Sequence, residues 1–150
     1  MNNKTIAQNK KARFNYFIED EVEAGIILMG SEVKSIRSGK VNINDAHCAE
    51  ISGSIYLVNA YISEYKGAVI FNHRPRQNRQ LLLHNKQIKK IIGKLKTKGL
   101  ALIPLSIYLN KRNIVKVKIA LGKGKKLHDK RSSIKEKDQN RQAQRDILNN

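Results

Sequence analysis

Tryptophan is absent, cysteine occurs once, proline twice, and acidic residues number only 12 against 30 lysines and arginines in 150 residues. Each shortage excludes something. A single cysteine, Cys48, cannot form an internal disulfide and fits a reducing, cytoplasmic setting. No unbroken apolar run exceeds four residues, as at Ile26–Met29, which is far too short for a bilayer span or a signal core. No segment reads as a basic amphipathic anchor with a bulky aromatic face, so no membrane partner is expected. Eight aromatics in all weigh against a broad platform for stacking single-stranded bases.

Metal and nucleotide chemistry are equally short of residues. His47, His73, His84 and His128 stand at unrelated spacings, so no zinc pattern emerges. Gly122-Lys123-Gly124-Lys125 lacks the spacing and terminal hydroxyl of a phosphate-binding P-loop. The one acidic cluster, Glu19, Asp20, Glu21 and Glu23, has no base or metal partner nearby and is expected to face solvent. These absences point to a protein that is not an enzyme and uses no cofactor.

What remains is charge and a core. A formal balance of +18 repels itself unless a polyanion screens it, and nucleic acid is the default polyanion. About 40% apolar content in a chain of this length suits one domain, and a monomer is expected.

The boundaries follow from patterning. Residues 1–11 carry little apolar content and are expected to form a disordered basic arm. Alternation of Phe14, Tyr16 and Ile18 predicts a strand, and Val22 to Met29 predicts a second one broken at Gly25. Gly30–Gly39 predicts a short helix with Ser31 as its cap, presenting Glu32, Lys34 and Arg37. Ala46–Ile51 and Ser54–Ile62 predict a hairpin through Ser52-Gly53. Asn72 to Arg79 lacks a hydrophobic pattern and offers Arg74, Arg76 and Arg79 for bidentate phosphate contacts.

The clearest helix begins near Asn85. Ile88, Ile91, Ile92 and Leu95 recur at i, i+3, i+4 and i+7, and Gly99 stops it. Leu100–Leu109 and Ile114–Leu121 then predict a strand pair, from which Lys116 and Lys118 project together on the side opposite Val115, Val117 and Ile119. With no β-α-β rhythm, the prediction is a mainly β fold over residues 12–122: a small antiparallel barrel with at least two short flanking helices. Residues 123–150 hold nine cations and four acids, too polar to order themselves, and form a disordered basic tail. Within it Lys137, Arg141 and Arg145 recur every four residues, so a partner could gather them on one side of an induced helix.

The junction, Gly122 to Arg131, combines two glycines with Lys123, Lys125, Lys126, Lys130 and Arg131 around His128 and Asp129. It reads as a basic contact with RNA whose His128 ring can stack on a base. A basic ribosomal protein, or a general binder of structured RNA, satisfies the same composition.

Several blocks taken together are more specific. Asn9-Lys10-Lys11-Ala12-Arg13, Glu23-Ala24-Gly25-Ile26, Gly30 through Gly39, Arg79-Gln80-Leu81-Leu82-Leu83-His84 and Gly122 through Arg131 resemble, in order, the SsrA-binding protein (small protein B) family of bacterial trans-translation. The resemblance implies an oligonucleotide-binding-like (OB) barrel that holds the tRNA-like domain of transfer-messenger RNA and delivers it to stalled 70S ribosomes. Elongation factor Tu and alanyl-tRNA synthetase would join indirectly through the RNA. It further implies that Glu32, Leu82, His84 and Lys118 engage the RNA. Asp129, Lys130 and Arg131 would work in the decoding centre, His128 would stack on small-subunit ribosomal RNA there, and the tail would become helical on the ribosome.

Overall fold

In the computed structural model, residues 3–68 and 71–149 are described, and nearly all long-range order comes from antiparallel pairing. Strand order in the main sheet is β1-β8-β9-β2-β7-β5-β4, with a two-stranded β3–β6 ribbon beside it. The main strands are β1 (Lys4–Gln8), β2 (Tyr16–Ile26), β4 (His47–Ile51), β5 (Ser54–Val58), β7 (Arg79–Leu82), β8 (Ala101–Leu109) and β9 (Val115–Gly124). The ribbon is β3 (Val41–Asn42) with β6 (Tyr61–Ile62). The sheet curls until β4 packs across β8 and β1 packs on β3, although the end strands β1 and β4 share no ladder. The expected barrel is therefore a coiled sheet, closed by side chains rather than by hydrogen bonds.

The period-2 pattern fixes which side chains line the interior. Val115, Val117 and Ile119 on β9, Ile107 and Leu109 on β8, Ile55 and Leu57 on β5, Ala24 on β2 and Leu81 on β7 are buried together. The β4–β5 hairpin pairs Ile51 with Ser54 across a two-residue turn in which Ser52 and Gly53 both take positive φ, 51° and 83°. That turn twists with its strands, as a primed hairpin turn should.

Among the described residues four helices flank the sheet: α1 (Ala12–Asn15), α2 (Gly30–Arg37), α3 (Asn85–Lys98) and α4 (Leu127–Asn149). The predicted stripe of α3 is present, with Ile91 buried and Ile88, Ile92 and Leu95 half-buried against the core. Gly99 ends it in the left-handed region, φ 61°, as a C-terminal glycine does. Caps differ from the sequence reading. Glu32 Oε1 accepts the Met29 N–H at 2.9 Å and Gln87 Oε1 accepts the His84 N–H at 3.2 Å. Each cap residue thus sits one or two positions earlier than Ser31 and Asn85, because a glutamate or glutamine at the third helical position reaches back to it.

Three boundaries need correcting. Lys4–Gln8, expected within a disordered arm, is an edge strand on β8, where Ile6 and Ala7 pack on the core and cover polar groups that β8 would otherwise expose; Met1 and Asn2 lie outside the described residues. Ala12–Asn15 is a helical turn, and the two strands expected from Phe14 to Met29 are one, β2, which continues through Gly25 and absorbs an irregularity between Ile18 and Glu21. The sheet also extends past Leu121 to Gly124. Under α1 a smaller apolar cluster of Ala12, Ile103, Leu105 and Ala120 forms on the sheet's outer face.

The tail, expected to be disordered, forms one helix, α4. Asp129 stands in its first turn, with Oδ2 accepting the Lys126 N–H at 3.2 Å, favourable placement at a helix N-terminus. Lys137, Arg141 and Arg145 are exposed along it, and Asn150 lies outside the described residues.

Candidate nucleic-acid interface

The sheet's outer face collects the polar members of its strands. On β9, Lys116 and Lys118 are half-buried and alternate with buried Val115, Val117 and Ile119. Lys118 is paired in register with Glu23 of β2, and Gly25 with Leu82 of β7. Glu23, Gly25, Leu82, Leu83, His84, Gln87 and Lys116 line a shallow hollow of about 340 Å³. Leu82 is 49% exposed, which an interior-facing leucine would not be. Gly25 makes room for it: a Cβ there would lie 3.2 Å from Leu82 Cβ. His84 is exposed at the cap of α3, held by the Gln87 contact.

Glu23 is the residue that the sequence reading missed. The Tyr108 hydroxyl donates to Glu23 Oε2, and burial, reinforced by that hydrogen bond and by the nearby negative charge, pushes the Tyr108 phenol well above its usual range. A carboxylate so placed among an exposed leucine, a histidine and a lysine can accept from base amino groups or a ribose 2′-hydroxyl. The signal was present: alternation puts Glu21, Glu23 and Gly25 on one side of a continuous β2, facing the lysines of β9. Splitting the strand at Gly25 hid it.

Further along the same face, Glu21 sits between two cations, 2.9 Å from Arg13 and 3.9 Å from Lys118. These pairs are exposed and contribute little stability. Lys118, Lys10, Arg13 and Lys137 border a second hollow of about 490 Å³, so the tail helix adjoins the sheet's basic side.

Two expected contacts are instead buried. Glu32 and Arg79 form an ion pair in which each side chain is 1% exposed. Arg79 also donates to the carbonyl oxygens of Ala60 (2.7 Å), Pro75 (2.9 Å) and Arg74 (3.2 Å), while Glu32 Oε1 receives Gln77 Nε2 at 3.3 Å. No surface is left for RNA. The pair ties α2 to the loop before β7, and neither residue can supply the direct contact expected of it. The arginine cluster in that loop misled the reading, because composition does not distinguish a cation that neutralises a buried carboxylate from one that meets phosphate.

The other expected cations divide between surfaces. Lys34, Arg37 and Arg76 are exposed, away from the Leu82 hollow: Lys34 Nζ lies 5.3 Å from the Tyr65 ring centroid, Arg76 Cζ 5.3 Å from that of Tyr61, and Arg37 donates to Asn113 O at 3.0 Å. At the junction, Lys123, Lys126, His128 and Arg131 are exposed. Lys125 Nζ lies 5.0 Å from the Phe17 centroid and Lys130 Nζ 5.9 Å from that of Phe14, while His128 Nε2 is 3.1 Å from Asp129 Oδ1. Cys48 is half-buried, and burial pushes its thiol up, away from the reactive thiolate. Among the described residues no helix is long and apolar enough to cross a membrane, and no group of three or more potential metal ligands occurs.

Comparison with known proteins adds the lineage. The family model described as "SmpB protein" matches residues 6–149. The SsrA-binding protein of Orientia tsutsugamushi (strain Ikeda) is 59% identical over 146 residues, covering 97% of this chain and 95% of that protein. The SsrA-binding protein of Rickettsia felis is 57% identical over 142 residues, covering 95% and 93%. A solved chain described under "tmRNA-SmpB: a journey to the center of the bacterial ribosome" is 41% identical with a TM-score of 0.67, covering 85% of this chain and 92% of that one. Sequence motifs, coiled sheet and near full-length identity agree, and this chain belongs to the SmpB family.

Proposed function

We propose that this protein is a non-catalytic RNA-binding adaptor of trans-translation: it binds the tRNA-like domain of transfer-messenger RNA and delivers it to stalled ribosomes. The observation that carries the reading is the convergence of Glu23, Leu82, His84 and Lys116 on one hollow of the outer sheet face, in a chain of the SmpB family. A carboxylate, a protruding leucine and two nitrogen donors on rigid elements suit a folded RNA read by shape and by 2′-hydroxyls. Lys118 extends the face toward α1.

The second half of the activity falls to the tail. His128 to Arg131 enter the decoding centre, and Lys137, Arg141 and Arg145 lie along small-subunit ribosomal RNA once the tail helix is docked. Elongation factor Tu and alanyl-tRNA synthetase take part through the RNA, and the work is done in the cytoplasm by a monomer.

Titration of a tRNA-like RNA with the parent protein and with Lys116→Ala tests the face. Loss of one phosphate contact should reduce the slope of log affinity against log salt by about 0.7 to 0.9. A footprint on that RNA should shrink around the same contact. Binding with no preference for the tRNA-like shape over an unrelated hairpin would refute the adaptor reading in favour of general structured-RNA binding.

A further inference from the structure

The eight aromatics of this chain are too few for an extended stacking platform, yet three of them gather on one ridge that contributes nothing to the lining of the Leu82 hollow. Two segments run side by side there. The Ile62 N–H donates to Pro75 O at 3.0 Å, His73 Nε2 lies 2.9 Å from Ile62 O, and the Asn72 side chain bridges the Tyr65 backbone with contacts of 3.2 and 2.9 Å. Buried Ile62 and His73 hold the ridge to the core, so its outward residues stand on a fixed base.

Phe71 is 79% exposed and Tyr61 is 39% exposed. Arg76 lies over the Tyr61 ring and donates to Asn59 O and Oδ1 at 3.3 and 3.2 Å, which fixes the guanidinium against that ring. Tyr65 is fixed differently: a Cβ on Gly67 would fall 2.7 Å from its ring, so Gly67 admits the ring from one side while Lys34 Nζ stands over it. Lys34, Lys66 and Arg74 are exposed around these groups, against the single acid Glu64 between Tyr61 and Arg76. An exposed phenylalanine and an aromatic-backed guanidinium plane, ringed by cations, are what an unpaired nucleotide requires: a flat surface for the base and positive charge for its phosphate.

We infer that the ridge formed by Tyr61–Tyr65 and Phe71–Arg76 is a second nucleic-acid contact, which takes unpaired nucleotides by stacking on Phe71 and on the Tyr61–Arg76 pair. It differs in chemistry from the sheet face, where an aliphatic side chain and a carboxylate meet a folded RNA. The inference rests on the proposed RNA-binding function only for the class of partner. Two contacts of different kind would let one small protein hold a structured RNA at one site and a single-stranded segment at another.

The test uses the full chain and two short probes of equal charge: a labelled hexaadenylate RNA and an abasic ribose-phosphate hexamer. The hexaadenylate should bind the more tightly, and Phe71→Ala and Tyr61→Leu should each weaken it about tenfold while leaving the abasic probe's affinity unchanged. Phe71→Ala removes a mostly exposed side chain, so it reads the ridge even if Tyr61→Leu disturbs β6. Equal affinity for the two probes, or equal loss for both, would overturn the proposal and leave the exposed phenylalanine to a protein partner. Failure of the tRNA-like titration with Lys116→Ala would refute the sheet-face reading alone, since the ridge is read from the difference between the two hexamers at Phe71 and Tyr61.

Discussion

Glu32→Ala separates a structural role from a binding role more sharply than any other substitution in this chain. Glu32 and Arg79 are each 1% exposed, and the guanidinium is further committed to three backbone carbonyls. Removing the carboxylate leaves a buried cation without its counter-charge and frees the Met29 N–H that Glu32 caps. Breaking such a pair costs about 3–5 kcal/mol. For a chain of this size each kcal/mol moves the melting midpoint by about 2–4 °C, so a fall of roughly 10 °C or more is expected. Glu32→Gln keeps an oxygen acceptor but loses the charge, and should cost about half as much. Arg79→Ala should equal or exceed Glu32→Ala, because it also takes a donor from the carbonyls of Ala60, Arg74 and Pro75, of which the last two keep a backbone N–H. The double variant should be well short of additive. Circular dichroism melts give the first quantity, and RNA titration well below every midpoint gives the second. A Glu32→Ala protein that melts with the parent yet loses RNA affinity would refute the structural assignment and restore Glu32 as a direct contact.

Gly122→Ala should destabilise by about 1–3 kcal/mol through overpacking, because the new Cβ would fall 2.6 Å from Ile103 Cδ1 on β8 and 3.1 Å from Tyr16 Cβ on β2; an unchanged urea midpoint would show that the packing of these two side chains yields. The Tyr108 phenol, raised by burial and by Glu23, ionises in the unfolded chain first. Its contribution is therefore complete below an unfolded pKa of about 10 and declines as pH rises beyond it, and Tyr108→Phe should flatten that decline in midpoints measured from pH 9 upward; parallel curves would contradict it. Truncation after Arg131 should leave affinity for a tRNA-like RNA largely intact while abolishing release of stalled ribosomes in a translation assay. Loss of RNA binding on that truncation would end the division between sheet and tail.

Local signals carried the fold well wherever one face of an element is buried and the other wet. The α3 stripe, the Ser52-Gly53 turn and the alternation of β9 are of that kind, and each is where the pattern put it. Errors arose where tertiary pairing overrode local composition. Lys4–Gln8 is polar by sequence and becomes a strand because β8 offers an open edge, which no window of five residues reveals. Gly25 reads as a break and is instead a point of close approach for Leu82. Site residues were legible as types but not as depths: Arg76 and Arg79 lie in one basic stretch of sequence, yet one is exposed in the loop and the other, opening β7, holds a buried carboxylate 47 positions earlier in the chain. Glu23 was hidden for the converse reason, since an acid in a basic protein reads as a solvent-facing counter-charge until the strand beside it is known.

The passage from β9 into α4 turns the molecule into a lever. The strand runs to Gly124, and the Lys125 N–H then donates to Asn15 O at 2.9 Å, so the fulcrum is clamped to the end of α1. Only Lys126 separates that clamp from a helix of 23 residues, an arm about 35 Å long at 1.5 Å per residue. A swing of about 10° at the fulcrum would carry the far end through roughly 6 Å, near the pitch of one helical turn. Small adjustments where the sheet grips α1 are thereby multiplied at the distal end, and a core that does not itself move can set where the tip points.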